Sequence, residues 1–396
     1  MRSLKSDLPP SNSHTLALLH PTPDEKLFIW NLNGQSWRGR LSLPAYLRRE
    51  TYLENQDFTK DGGITFWILV DTTAQPNLRP ILASCESLRK RALIAKGDGQ
   101  VEEVISHGIG SVFCNPEFRG RGYAQRMIEE LGKKLDTWQQ VGNMMTSFTV
   151  LYSDIGKMFY SRRGWHAFPS SHIALPPVYG QDAACLPAMA TQPLYTADLA
   201  KLCALDEKML REELCRPTES ERKIRVALIP DVKTMVWHHA REEFAAKEML
   251  ATVPDIKGAY IKTSAGDHMW CIWTRTFGSD EASNTLHILR FMIEGERLVR
   301  SSETKPIVLE PSNQEKVQAG AALLQAAQLE ASKWDMRNVE VWNPSPLIVL
   351  AAREIKPAVQ VIRRDESSIA SLRWHGVDPE ERSKVDWVAN EKYGWC

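Results

Sequence analysis

Two glycines one residue apart, Gly120 and Gly122, separate a strand-like apolar run from a segment in which Met127, Ile128, Leu131, Leu135 and Trp138 recur at helical spacing. The stretch Ser111-Val112-Phe113-Cys114-Asn115-Pro116-Glu117-Phe118-Arg119-Gly120-Arg121-Gly122-Tyr123-Ala124 is therefore expected to turn from a strand into a helix. Glycines at such a turn let the backbone approach a ligand closely. The unpaired amides of the following helix converge on one spot, where an anion, and above all a pyrophosphate, gains from the helix dipole. Arg119 and Arg121 add formal positive charge. The dinucleotide-binding pattern would place a glycine or alanine at Gln125, and no Gly-x-x-x-x-Gly-Lys-Ser/Thr loop occurs in the chain. A solvated glycine turn is the plain alternative.

The remaining pattern, Gln/Arg-x-x-Gly-x-Gly/Ala through Arg119, Gly122 and Ala124, resembles the pyrophosphate loop of the GNAT superfamily of acetyl-CoA-dependent N-acetyltransferases. A second stretch, Ser153-Asp154-Ile155-Gly156-Lys157-Met158-Phe159-Tyr160-Ser161-Arg162-Arg163-Gly164-Trp165, resembles the superfamily's Asn-x-x-Ala-x-x-Leu-Tyr-x-x-x-Gly-Phe signature. The tyrosine and the Gly-aromatic pair are in register; Ser153 and Gly156 depart from the usual Asn and Ala. The resemblance implies an α+β GNAT fold, a mixed twisted sheet flanked by helices, with acetyl-CoA as cosubstrate.

At 396 residues the chain exceeds one ordinary domain. Pro, Ala and Gly without periodicity between Pro176 and Leu194 suggest a break, so the expected division is 1–178 for the acetyltransferase domain, 179–194 for a linker and 195–396 for a second domain. In the first part, Thr15 to His20 reads as a strand, and Pro23-Asp24 and then Ser42 with Pro44 open two helices. Ile64 to Asp71, Ile81 to Ala95 and Glu103 to Cys114 read as strands, the last two joined at Asp98-Gly99. Thr146 to Tyr152 follows, and Phe168 to Pro177 looks like the last strand of that domain. The second half imitates the order: helices over Ala197–Cys215 and Thr234–Leu250, a hairpin over Gly258–Ile261 and Met269–Phe277, then the strand Leu286–Glu294. A helix over Val317–Trp334, the strand Val339–Trp342 and a helix over Leu347–Ile355 complete it. Between Glu294 and Val317 there is no Arg-x-x-Gly-x-Gly equivalent, only Pro306 and Pro311, so a degenerate GNAT-like α+β domain without the cofactor motif is expected.

Lys+Arg and Asp+Glu are both 49, a balance that offers no general attraction for nucleic acid or anionic membrane. The seven cysteines are scattered, with no Cys-x-x-Cys and no His at ligand spacing, and read as reduced thiols. His238-His239 and His268 form no second metal-ligand cluster, so no metal is expected. The polar start of the chain, Met1 to His14, reads as neither signal peptide nor anchor, and no apolar run approaches the ~20 residues of a membrane span. A cytoplasmic location is the expectation.

Acetylating a lysine-type amine requires removing a proton held with a pKa of ~10.4 and returning one to a departing thiolate. Tyr160 suits the second role by its chemistry and by the register of the resemblance. For the base, His107 lies on the strand before the turn, about where relatives keep a carboxylate, and Glu86 and Glu103 are alternatives. Backbone at Val112, Phe113 and Cys114 would pair with the pantetheine amides like an added strand, and amides from Arg119 to Ala124 (Arg119, Gly120, Arg121, Gly122, Tyr123 and Ala124) would take the pyrophosphate. Ser153 stands where the family's pantetheine-facing Asn falls. Tyr46, Arg49, Glu50 and Glu54 lie at near-helical spacing on a helix that forms one wall of the acceptor site in this superfamily, and Glu50 and Glu86 are candidate substrate contacts. The superfamily's usual course is direct attack in a ternary complex, with Cys114 a core residue.

Ser84-Cys85-Glu86-Ser87-Leu88-Arg89-Lys90-Arg91-Ala92, Ser111 to Cys114 and Leu151 to Lys157, together with a long divergent second half, resemble the fungal lysine N-acetyltransferases of lysine catabolism. That resemblance implies free L-lysine as acceptor, with an Arg and an acidic residue facing Tyr160. Another primary amine (protein lysine, polyamine or drug-like amine) and a catalytically silent CoA-binding scaffold are the alternatives.

Overall fold

The computed structural model describes residues 8–97, 99–142, 144–179, 189–216, 223–297, 311–376 and 379–395. Most of the expected linker, Asp98 of the hairpin turn, Cys185, Cys396 and Pro306 lie outside the described residues. The first half runs β1 (Leu16–Leu19), α1 (Pro23–Trp37), α2 (Leu43–Glu54), β2 (Ile64–Asp71), β3 (Ala83–Ala95), β4 (Val101–Cys114), α3 (Tyr123–Leu135), β5 (Thr146–Ser153), α4 (Met158–Ser161), β6 (His166–Ala167) and β7 (Ser171–Leu175). The second runs β8 (Gln192–Leu194), α5 (Thr196–Cys215), β9 (Ile224–Leu228), α6 (Val232–Leu250), β10 (Gly258–Lys262), β11 (His268–Thr276), β12 (Thr285–Ile293), α7 (Pro311–Lys333) and β13 (Asn338–Trp342). It closes with α8 (Pro346–Ile355), β14 (Ile362–Arg363), β15 (Ile369–Trp374), α9 (Pro379–Lys384) and β16 (Val385–Trp387).

Local chemistry accounts for many of these boundaries. Thr22 caps α1 through a reciprocal box with Glu25, and Ser42 Oγ accepts from the Ala45 amide at the start of α2. Proline just inside each helix costs nothing there, because its missing N–H would be unpaired anyway.

Two mixed sheets result, ordered β1-β2-β3-β4-β5-β15-β6 and β14-β7-β13-β12-β11-β10-β8. In each, a hairpin leads into a parallel pair joined by a crossover helix: β4 and β5 across α3, β12 and β13 across α7. The strand expected to end the first domain forms, but as β7 it pairs with β13 and β14 in the second sheet. Reciprocally, β15 pairs with β5 and β6 in the first. This exchange gives each central strand two ladders, and no single cut in the chain separates the sheets. Likewise, β2 covers only Ile64 to Leu69 against Ala83 to Leu88 of the long β3, and β9 caps the exposed edge at Ala92 to Ala95. Between the sheets lies an apolar layer that includes Phe148, Val150, Trp270, Leu289, Leu372 and Tyr393; α3 and α7 cover the outer faces.

Candidate active site

The parallel pairing of β4 with β5 ends at Ile109 opposite Leu151, although β4 continues to Cys114 and β5 to Ser153. The cause lies on the other side of β4. Ser84 pairs with Phe113 but Glu86 with Gly110, so β4 carries an extra residue, and Ser111 there adopts a left-handed φ of 50°. The bulge bends β4 away from β5 and opens a wedge. Polar backbone groups of Gly110 to Cys114 on the β5 side thus face a cavity of about 880 Å³.

The glycine turn sits at one end of this cavity. Gly122, with φ 83°, is the residue before α3 and has no side chain to cap the helix, and the Cys114 thiol lies against the Ala124 amide. A Cβ at Gly122 would fall 2.8 Å from Ser11 Oγ, whereas one at Gly120, φ 80°, would meet nothing within 4 Å. The first is required by crowding as well as by φ; the second leaves a cradle open to a ligand. Gly120, Gly122, Tyr123, Ala124 and Arg119 line the cavity, and Arg119 Nε donates to the Cys114 carbonyl at 3.2 Å, closing the loop on itself. The start of a 13-residue helix beside an open strand edge fits a diphosphate carrying an extended amide arm.

Tyr160 lines the middle of the cavity at 6% exposure, and its hydroxyl has no hydrogen-bond partner among the described residues. Burial, aided by Cys85 and Asp154, raises its pKa and keeps the proton on at neutral pH. The far end, the chamber, holds Tyr46, Arg49, Glu50 and Leu53 of α2, Glu86 of β3, and Trp237 and Arg241 of α6, with Trp395 beside them. Burial and the neighbouring Glu50 push Glu86 up to about 7, against the pull of a 2.9 Å hydrogen bond from Ser111 Oγ and of Arg241 and Arg49. The bulge therefore opens the wedge and also aims Ser111 at Glu86. Arg49 donates twice to Glu50 Oε1, at 2.9 and 2.7 Å, and lies over the Tyr46 ring.

The cavity thus gathers Tyr160, Val112, Phe113, Cys114, Arg119, Gly120, Gly122, Tyr123, Ala124, Glu50 and Glu86, but other expected site residues lie elsewhere. His107 is fully buried beneath the sheet, donating from Nε2 to Gln139 Oε1 at 3.1 Å; burial draws its pKa down to about 4, and it does not line the cavity. On a strand, residues two apart share a face, so His107 follows Ile109 until the bulge shifts the parity, and it ends under the end of α3. Ser153 spends its hydroxyl on its own turn, donating to the Gly156 carbonyl at 2.7 Å and accepting from Ile155 N. Arg121 lies outside the lining, Glu103 is tied into a surface network with Arg91 and Arg211, and Glu54 pairs with Lys26. Cys114 borders the cavity as a half-buried thiol whose pKa burial raises, which disfavours a thiolate.

Trp237 and Arg241 are not singled out by the sequence. Trp237, Arg241, Phe244 and Glu248 fall on one stripe of α6, and this stripe packs on the first half: Phe58 meets Trp237 at 6.2 Å, Tyr52 meets Phe244 at 5.8 Å, and Arg48 pairs with Glu248. The i, i+4, i+7, i+11 spacing was the only available signal, and it is equally that of an ordinary exposed face.

Both sheets repeat the GNAT arrangement, a bulged hairpin feeding a splayed parallel pair, and the chain belongs to the family described as "LYC1 GNAT-like C-terminal domain", which matches residues 172–396. The Saccharomyces cerevisiae "Uncharacterized protein YGR111W" is 22% identical, covering 94% of this chain and 96% of its own. A "Lysine acetyltransferase" of Yarrowia lipolytica is 23% identical over 66% of this chain and 72% of that protein. Among solved structures, Saccharomyces cerevisiae N-myristoyltransferase with bound myristoyl-CoA aligns with a TM-score of 0.52 at 8% identity, covering 95% of this chain and 84% of that one, a likeness of fold. Among the described residues, no helix is long and apolar enough to cross a membrane, and no group of three His, Cys, Asp or Glu is placed to hold a metal ion. The five described cysteines are free.

Proposed function

We propose that the protein transfers the acetyl group of acetyl-CoA to the side-chain amine of free L-lysine, as a cytoplasmic enzyme of lysine breakdown. The observation that carries the reading is one continuous cavity with an open strand edge and glycine turn at one end, Tyr160 at its middle and Glu86 in the chamber beyond. The name of the Yarrowia relative supports lysine as acceptor.

The backbone of Val112 to Cys114 would hold the pantetheine arm, and amides from Gly120 to Ala124 the diphosphate, so that the thioester reaches Tyr160. Glu86 replaces His107 as the base. A carboxylate with a pKa of about 7 is charged about half the time at neutrality, yet basic enough to take a proton from an alkylammonium desolvated beside it. The freed nitrogen lone pair attacks the thioester carbonyl. The C–N bond forms and the C–S bond breaks, the sulfur leaving as thiolate. Tyr160 gives its proton to that thiolate, the second proton of the attacking nitrogen passes to the tyrosinate so formed and restores Tyr160, and Glu86 releases the first proton to water.

An acceptor panel assayed by release of the CoA thiol tests the proposal. Turnover with free L-lysine above other amines is expected. Preference for a protein lysine or polyamine would replace the acceptor, and CoA binding without any turnover would mark a scaffold.

A further inference from the structure

Four charged side chains from three elements meet in the chamber: Arg49 and Glu50 from α2, Glu86 from β3 and Arg241 from α6. Three are committed. Arg49 holds Glu50, and Glu86 takes the Ser111 hydroxyl. Arg241 has no hydrogen bond or ion pair among the described residues; its guanidinium lies over the Trp395 ring, 5.0 Å from the centroid. A half-buried guanidinium beside a second cation is costly without an anion. Burial and Arg49 lower its pKa to about 10, which leaves it charged at neutral pH, while Glu50, Tyr46 and Glu86 oppose that shift. With Glu86 near half-charged and Arg49 offset by Glu50, the chamber carries surplus positive charge at Arg241. That charge sits among α2 and α6 side chains, away from the diphosphate turn, so the missing anion belongs to the acceptor.

We infer that Arg241 binds the α-carboxylate of the acceptor, so that the substrate class is amino acids with a free carboxylate rather than proteins or polyamines. The inference deepens the acetyltransferase reading and rests on it. Its planar fork matches a carboxylate, and the Trp395 face holds that fork in one orientation. Glu50 Oε2, which takes no hydrogen bond from the described residues, is the partner for the α-ammonium. The second half of the chain thereby supplies the specificity of a reaction whose chemistry lies in the first.

The test compares L-lysine, L-lysinamide and cadaverine as acceptors for the wild type, Arg241→Gln and Arg241→Lys. Wild type is expected to favour lysine over both carboxylate-free analogues by about 100-fold in kcat/KM, since truncating one member of a buried charge pair has effects of that order. Arg241→Gln should lose most of that preference through KM for lysine, and Arg241→Lys should recover part of it. CoA affinity measured by calorimetry reports whether each variant is folded. Equal use of lysine and lysinamide by the wild type, or an equal fall for lysine and cadaverine in Arg241→Gln, overturns the inference. If the wild type acetylates none of the three, the lysine reading fails on its own. Titration of the CoA complex with L-ornithine and L-lysine against their decarboxylated diamines then decides the carboxylate subsite: binding only of the amino acids, lost in Arg241→Gln, upholds it, and any other pattern overturns it.

Discussion

The molecule contains the same wedge twice, and only one of the two is open. In the first sheet, β4 parts from β5 beyond Ile109 and leaves about 880 Å³. In the second, the β11–β12 register also slips, between Ile272 and Trp273, and β12 parts from β13 beyond Ile288, yet the hollow there is about 80 Å³. The difference is the segment around Glu391 to Gly394. Glu391 accepts the Phe291 amide at 2.8 Å, on the strand stretch corresponding to the open edge of β4, and pairs with Arg290, which Asp206 grips twice at 2.7 and 2.8 Å. Tyr393 is buried in the layer between the sheets, its hydroxyl donating to the Leu228 and Ala389 carbonyls. A side chain of the protein itself, Glu391, thus satisfies a backbone amide of the kind a ligand would satisfy in the first wedge. The bulge creates the space, and what fills that space decides whether it binds anything.

The largest expected effect bears on the open wedge. Glu86→Gln should lower kcat/KM by about 100- to 10,000-fold, the range for losing a general base, and abolish the rise of kcat/KM with pH up to about 7 that the wild type should show. A wild-type profile flat from pH 6 to 8 would remove Glu86 from the role. Tyr160→Phe should cost about 100-fold in kcat while leaving CoA affinity nearly intact. Steady-state rates beside calorimetric titration separate the two quantities. The filled wedge is tested by Glu391→Ala, which strips Arg290 of one of its carboxylates and frees the Phe291 amide. About 2–4 kcal/mol of stability should be lost in denaturant titration. The protein should still bind one CoA per chain, and a second equivalent would break the comparison.

A smaller effect follows from linkage. Glu86 has a folded-state pKa above its unfolded value, so it contributes stability that is fully present below about pH 4.5 and lost as pH rises through about 7. Wild type should therefore lose up to about 3 kcal/mol relative to Glu86→Gln between pH 4 and 8. Parallel unfolding curves across that range would contradict the raised pKa. The smallest change is expected for His107→Gln, within about threefold in kcat/KM, because His107 faces Gln139 rather than the cavity.

Local physics made the first wedge readable along the chain. Gly120 and Gly122 advertise positive φ, the Met127–Leu135 pattern advertises the buried face of α3, and the register of Tyr160 follows from its spacing to Gly164 and Trp165. Short-range signals of this kind survive in one dimension because they are set by neighbours within a turn or two. The ends of most elements fall within two residues of expectation for the same reason; α7 starts six residues before the expected Val317, because Pro311 to Lys316 is polar and carries no apolar periodicity.

Other features depended on contacts between distant segments. Whether Phe168 to Pro177 joined the first sheet or the second turned on β13 and β15, both more than 160 residues away in sequence. His107 points under α3 and Glu86 into the cavity because Glu86 stands opposite Gly110 and His107 opposite Arg89, three residues apart and so on opposite faces of the sheet; which of those faces carries the cavity has no signature in composition. Arg241 and Trp395 reach the chamber because α6 packs on α2 and the residues after β16 fold back across both sheets. Packing of this kind depends on the summed shape and burial of many side chains, and no spacing along the chain encodes it.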